Sequence, residues 1–428
     1  MTEPRGTPAP DRPGHADTAS HAPASGVPAP VGTGLRTRLL ASFVYRFVAT
    51  MTVPFFAIYL ADRRGGVLTG LLMVVVALAA VAAAVLGGPL CDRVGRRPVL
   101  VTGELTTALA FLGTAVASSS TVDRPLLAYG CFLVMTTVSA LIMPAHDATI
   151  VDVTTEADRR RIYSINYWSI NIALASGTLL GGLLYRSWFA AVLAGAGLVS
   201  AMLALITWRF LAETRPDTPG RRARGLLRGY RTVLADRRFT ALIVAATLVI
   251  AVELQLTSYI AVRLSQDFPD QPLLPGLGAV TGVQMLAVLR LENTLLVAGL
   301  ALLVWPLLRR APDRTRLIGG LLVFTAGYAV LTVSNTAWVL LAAMVVVTVG
   351  ELANVPVTQS LVANATRADK AGTYMAAYGL NGNIGWVIAS ACISLGAVIG
   401  PVAMATLFVV AGIAATAVFT RQLPATAR

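Results

Sequence analysis

The chain has 428 residues, of which 56% are hydrophobic and 13% charged, and its mean hydropathy is +0.71. Those proportions exclude an ordinary soluble domain and make a membrane protein the expectation. The net charge of +13 would suit nucleic-acid binding if it formed one patch. Instead the basic residues are divided among loops between apolar runs, which argues against that partner.

Residues 1–34 are rich in Pro, Ala, Gly, Ser and Thr and predict a disordered cytoplasmic tail. They lack the apolar core of a signal peptide. Apolar runs of the roughly 20 residues that cross a bilayer then recur. They predict spans at 37–60, 67–90, 98–118, 125–145, 163–185 and 188–210, and again at 239–263, 283–308, 315–333, 337–358, 372–397 and 400–420. The fold class expected is an all-α polytopic membrane protein with twelve transmembrane helices in two six-helix bundles, 35–210 and 239–420. The arginine-rich stretch 211–238 separates them as a cytoplasmic linker, with an amphipathic piece from Gly225 to Arg238 lying on the membrane surface. Leu264 to Gly282 holds three prolines and predicts a long outer loop, and 421–428 form a cytoplasmic C-terminus.

Most of the 34 Lys and Arg fall on the side of the termini, and only Arg63, Arg64, Arg124, Arg186 and Arg263 fall opposite. By the positive-inside rule both termini are cytoplasmic, in the cell inner (plasma) membrane. The cysteines Cys91, Cys131 and Cys392 are far apart, and two of the three histidines, His15 and His21, lie in the tail. No metal site, phosphate-cradling loop or catalytic constellation follows, so neither a cofactor nor an enzyme is expected. The partners expected are a small-molecule substrate, protons and the lipid bilayer, with the chain acting as a monomer.

Between the second and third spans the chain reads Gly88-Pro89-Leu90-Cys91-Asp92-Arg93-Val94-Gly95-Arg96-Arg97. A degenerate echo, Pro306-Leu307-Leu308-Arg309-Arg310-Ala311-Pro312-Asp313-Arg314, stands at the matching place in the second half. A second echo sets Ala157-Asp158-Arg159 and Tyr163 against Ala368-Asp369-Lys370 and Tyr374. Two echoes at corresponding loops predict parallel internal repeats, with a substrate site near the midplane between them. The ten-residue stretch resembles the loop signature of the major facilitator superfamily. That resemblance implies a latch on the cytoplasmic side, carried by Gly88, Leu90, Asp92, Arg93, Gly95, Arg96 and Arg97, with Asp147 as a candidate partner. Arg46 ahead of Pro54-Phe55-Phe56, and Gly350-Glu351 followed by Pro356, look like the multidrug:proton antiporter branch. Thr178 stands where that branch's span-five motif has proline.

An ionisable residue inside a span is expensive and therefore a functional candidate. Glu351 and Glu253 are candidate proton carriers, and Arg46 is placed at a depth where it would compensate Glu351. Glu104 is expected to pair with a loop arginine, His146 to be solvated, and Arg290 and Glu292 to snorkel outward. Tyr45, Asn166, Asn171, Gln255, Tyr378 and Asn381 are candidate cavity residues, their alternative being helix packing. The function expected is proton-coupled efflux of small amphipathic or hydrophobic compounds. The alternative is a proton-coupled importer of small solutes such as short peptides.

Overall fold

The computed structural model describes residues 33–152, 156–211, 231–273, 278–308, 311–367 and 371–423. The expected N-terminal tail, most of the linker and the C-terminal residues lie outside the described residues.

The first helices are α1 (Thr33–Arg64), α2 (Gly66–Val94), α3 (Arg96–Ser118), α4 (Pro125–Asp152) and α5 (Glu156–Phe210). After the linker come α6 (Arg237–Glu253), a 3-10 turn (Leu254–Thr257), α7 (Tyr259–Asp267) and α8 (Gly282–Leu308). The chain finishes with α9 (Asp313–Val333), α10 (Ala337–Ala365), α11 (Ala371–Tyr378) and α12 (Leu380–Gln422).

Ten stretches among the described residues are long and apolar enough to cross a bilayer. Two of them, Trp168–Phe210 and Thr373–Gln422, run to 43 and 50 residues, about twice what one crossing needs. Each is broken where two spans were expected to meet, at Trp188 (φ −133, ψ 17) and at Gly400 (φ 78, ψ 172). Division at these breaks gives twelve crossings. An even number returns the chain to the face on which it began, here called the terminal face. Large apolar side chains such as Leu109, Leu198, Leu205 and Val402 stay exposed on the outside, as they do when the solvent is hydrocarbon.

Three local expectations are refined. The charged loop before Pro98 shrinks to one residue: α2 runs through Val94, α3 starts at Arg96, and Gly95 alone turns the chain at φ 105. A side chain there would be strained, and the Gly95 N–H closes the turn on the Cys91 carbonyl at 3.0 Å. The amphipathic piece is helical over 231–235 and stops at Asp236, the cap of α6, while 212–230 lie outside the described residues. The outer loop is partly regular, since α7 continues to Asp267 and Gln271–Pro272 pairs antiparallel with Ala279–Val280.

Helices α1 to α5 pack on one another, as do α6 to α12, and the two groups meet mainly where α2 crosses α12 and α5 crosses α8. Small residues make these crossings close. A Cβ built on Gly70 would sit 2.2 Å from Ser394 Oγ, and one on Gly66 would sit 2.9 Å from Ala397 Cβ. Ser394 Oγ donates to the Val67 carbonyl at 2.6 Å, and Arg186 pairs with Asp270 at 3.6 Å. All of these contacts lie near the face opposite the termini. Cysteines replacing Gly66 and Ala397, on a background without the three native thiols, are therefore expected to crosslink on oxidation after a shift of under about 1 Å. The crosslink should be lost again when a reductant is added.

On the terminal face Asp236 accepts the N–H groups of Arg238 and Phe239, both at 3.1 Å, and the Tyr374 hydroxyl at 3.0 Å. The Phe239 N–H is the main cause that holds this carboxyl below its ordinary pKa. A carboxylate depressed in this way stabilises the fold above its unfolded pKa of about 3.9 and loses that contribution as pH falls through its lower folded value. Asp236→Ala should cost about 1 kcal/mol. Thermal unfolding in detergent should show a gap from wild type that is constant between about pH 5 and 8 and narrows below about pH 4.

Candidate functional site

The span formed by α6 and α7 is interrupted halfway. After Glu253 the helix tightens into the 3-10 turn and then breaks at Ser258 (φ −122, ψ −99). Backbone groups released in a membrane span need replacement partners. Tyr328 supplies one, its hydroxyl donating to the Glu253 carbonyl at 3.0 Å. Gln255 supplies another, its Nε2 donating to the Ala251 carbonyl at 2.8 Å.

The Glu253 side chain meets two charges, those of Glu351 on α10 and Arg290 on α8. Glu351 Oε2 accepts a hydrogen bond from Asn293 Nδ2 at 3.2 Å, and the same amide reaches Thr348 Oγ1 at 3.1 Å. Three spans thus place two carboxylates, one guanidinium and an amide within electrostatic reach of one another near mid-depth. The charge of Arg290 acts on both carboxylates, a role beyond the outward snorkelling expected of it. Its spacing to Asn293 is one helical turn, a signal that would have placed both on one face. Glu292 is part-buried, and its Oε2 has no hydrogen-bond partner among the described residues.

A cavity of about 270 Å³ lies between the helix groups. Tyr45, Val53, Phe111 and Met135 line it from the first group, Asn383 and Trp386 from the second. Its wall is mainly aliphatic and aromatic with a few hydroxyl and amide groups, the make-up of a site for a small organic ligand. Of the expected cavity residues, Tyr45 lines it. Gln255 caps the broken helix, Asn381 is buried beside Tyr378, and Asn171 sits part-buried on α5.

Arg46 and Glu351 have different neighbours. The charge of Arg46 acts on His146, whereas Glu351 has Asn293 and Arg290. Glu104 meets no loop arginine among the described residues: its Oε1 lies 3.4 Å from His146 Nε2. His146 is buried, not solvated, and its ring packs against Tyr45 at 5.3 Å between centroids.

Within the signature stretch, Leu90 packs on the cluster of Cys91, Val99, Leu100, Ile142 and Ala145. Arg97 donates to the Trp208 carbonyl at the end of α5. Arg93 is exposed, Arg96 half-buried, and Gly88 faces open space. The side chains of Asp92, Asp147 and Asn166 lie outside the described residues.

Apolar crossings in two groups, with a cavity between them and charged groups near mid-depth, define a polytopic carrier architecture. The sequence profile of the Major Facilitator Superfamily matches residues 38–390, and the chain belongs to that superfamily of membrane transporters. The Na(+), Li(+), K(+)/H(+) antiporter of Planococcus maritimus is 30% identical over 381 residues, 86% of this chain and 90% of that protein. The multidrug resistance protein MdtH of Cronobacter sakazakii is 25% identical over 296 residues, 68% of each. Among solved structures, the nucleoside transporter NupG superposes with a TM-score of 0.71 at 13% identity, covering 92% of this chain and 100% of that one. The peptide transporter POT in complex with sulfate gives 0.67 at 16% identity, covering 91% and 94%. These last two likenesses are of fold.

If the cavity receives the transported compound, Trp386→Ala should raise the KM for an aromatic probe such as ethidium about tenfold, equivalent to about 1.4 kcal/mol of lost stacking and burial. Rate measurements in proteoliposomes check this.

Proposed function

We propose that this transporter is a proton-coupled antiporter that exports small amphipathic or hydrophobic compounds across the cell inner membrane by alternating access, with both termini in the cytoplasm. The charge count of the mid-depth cluster carries the reading. Glu253 and Glu351 share one cation, Arg290, so a single proton completes electroneutrality where an uncompensated charge is costly. Losing that proton leaves one net negative charge, which favours the better-hydrated conformer; regaining it favours the other. The mainly apolar cavity supports an amphipathic substrate, and the antiporter and multidrug relatives agree in chemistry.

Contacts between the groups near the face opposite the termini make this a conformer closed on that side. The signature residues Gly88, Leu90, Asp92, Arg93, Gly95, Arg96 and Arg97, with Asp147, then act as the latch that closes the terminal face in the other conformer. The open space at Gly88 fits an unlatched state.

A second reading, exchange of alkali cations for protons, is favoured by the Planococcus maritimus relative. The carboxylates of Glu253 and Glu351, with the oxygens of Asn293 and Thr348, would supply the hard donors that such a cation takes. Import of short peptides draws on nothing beyond the shared fold.

Purified protein in liposomes with an imposed pH gradient separates these readings. Ethidium should dissipate the gradient in wild type, Glu253→Gln and Glu351→Gln should each slow that exchange about tenfold or more, and the double variant should abolish it while still binding ethidium. Coupling that survives in the double variant overturns the scheme. Dissipation by Na⁺, Li⁺ or K⁺ and not by ethidium selects the second reading.

A further inference from the structure

A polar layer lies under the cavity, away from the Glu253 and Glu351 cluster. Thr107 of α3, Met143 of α4 and Leu203 of α5 line the cavity. One helical turn farther toward the terminal face, on each of the same helices, stand Glu104, His146 and Thr207. All three are buried, at 2%, 6% and 7% exposure. His146 Nε2 is 3.4 Å from Glu104 Oε1, and the Glu104 carboxyl has the Thr207 hydroxyl beside it but no hydrogen-bonded cation among the described residues. Tyr45, itself a cavity residue, packs over the imidazole.

A carboxylate buried without a hydrogen-bonded cation is costly, and two routes can relieve it: an imidazolium partner or a proton of its own. Either route places one proton between Oε1 and Nε2. Tyr45 and Arg46 from α1 and Thr207 from α5 are among the groups that face the pair. The two hydroxyls are neutral, and Arg46 is a permanent cation whose charge opposes an imidazolium at His146. Of the two routes, a carboxylic acid donating toward Nε2 is therefore the one that the charge of Arg46 does not oppose.

We propose that Glu104 and His146 together hold one exchangeable proton, a second proton-binding site that belongs to the first helix group and is separate from Glu253 and Glu351. Binding takes one proton from water and forms the O–H···N bridge; release returns it to water, and no bond between heavy atoms changes. Because the pair is one turn beyond the cavity floor, water that reaches the floor also reaches Glu104 and favours the ionised carboxylate. Proton occupancy is thereby tied to which face the cavity opens on.

Proton uptake by the purified full chain in detergent, followed with an indicator dye as weakly buffered solution is taken from about pH 8 to 5, tests this without a substrate. Glu104→Gln should take up one proton fewer than wild type, and Glu104→Asp should regain it. The Glu253→Gln/Glu351→Gln double variant should keep this proton, so failure of the coupling scheme above leaves the count intact. Equal uptake by wild type and Glu104→Gln overturns the proposal. If Glu104→Gln yields no folded protein, His146→Gln decides: its uptake step must move by about half a pH unit or more, and an unmoved step overturns the proposal.

Discussion

Charge compensation at mid-depth is the constraint on which the rest of this molecule turns. An apolar bundle tolerates Glu253 and Glu351 only if something answers them, and Arg290 answers one. The break in the α6–α7 span falls directly after Glu253 and frees backbone groups there. Tyr328 and Gln255 partner them locally. The small residues at the α2–α12 and α5–α8 crossings do the complementary job, letting two groups that each carry buried charge close on one another over a narrow patch.

The spans were legible in the sequence because a bilayer imposes a length. Runs of about 20 apolar residues have one solution in hydrocarbon, and even the breaks at Trp188 and Gly400 fell where the apolar pattern restarted. Lone charges inside such runs were legible for the same reason. Their partners were not. Sequence gives depth along a helix, whereas partnership depends on which way each helix is turned toward its neighbours. Arg46 and Glu351 were matched by depth alone, and the structure gives them different companions. Glu104 and His146 looked separately like surface groups, since nothing local to α3 or α4 shows that they face one another. Gln255 was read as a cavity residue because the break that occupies its amide leaves no local signature.

The two polar places differ in what they ask of the fold. The Glu253 and Glu351 cluster is drawn from α6, α8 and α10, all in the second group, and its balance shifts by a whole charge when a proton leaves. The Glu104 and His146 layer is drawn from α3 and α4 in the first group, with Tyr45 connecting it to the cavity. A carrier that rocks two groups against each other moves both places relative to the cavity but neither relative to its own neighbours. Each can therefore keep its internal geometry through the cycle while its access to water changes. In the proposed scheme these two places respond through hydration, and the turn at Gly95 fits it. With α2 and α3 joined by a single residue and pinned by Arg97 to the end of α5, these helices are tied to one another at the terminal face, and the charges of the signature stretch lie at the rim of the first group.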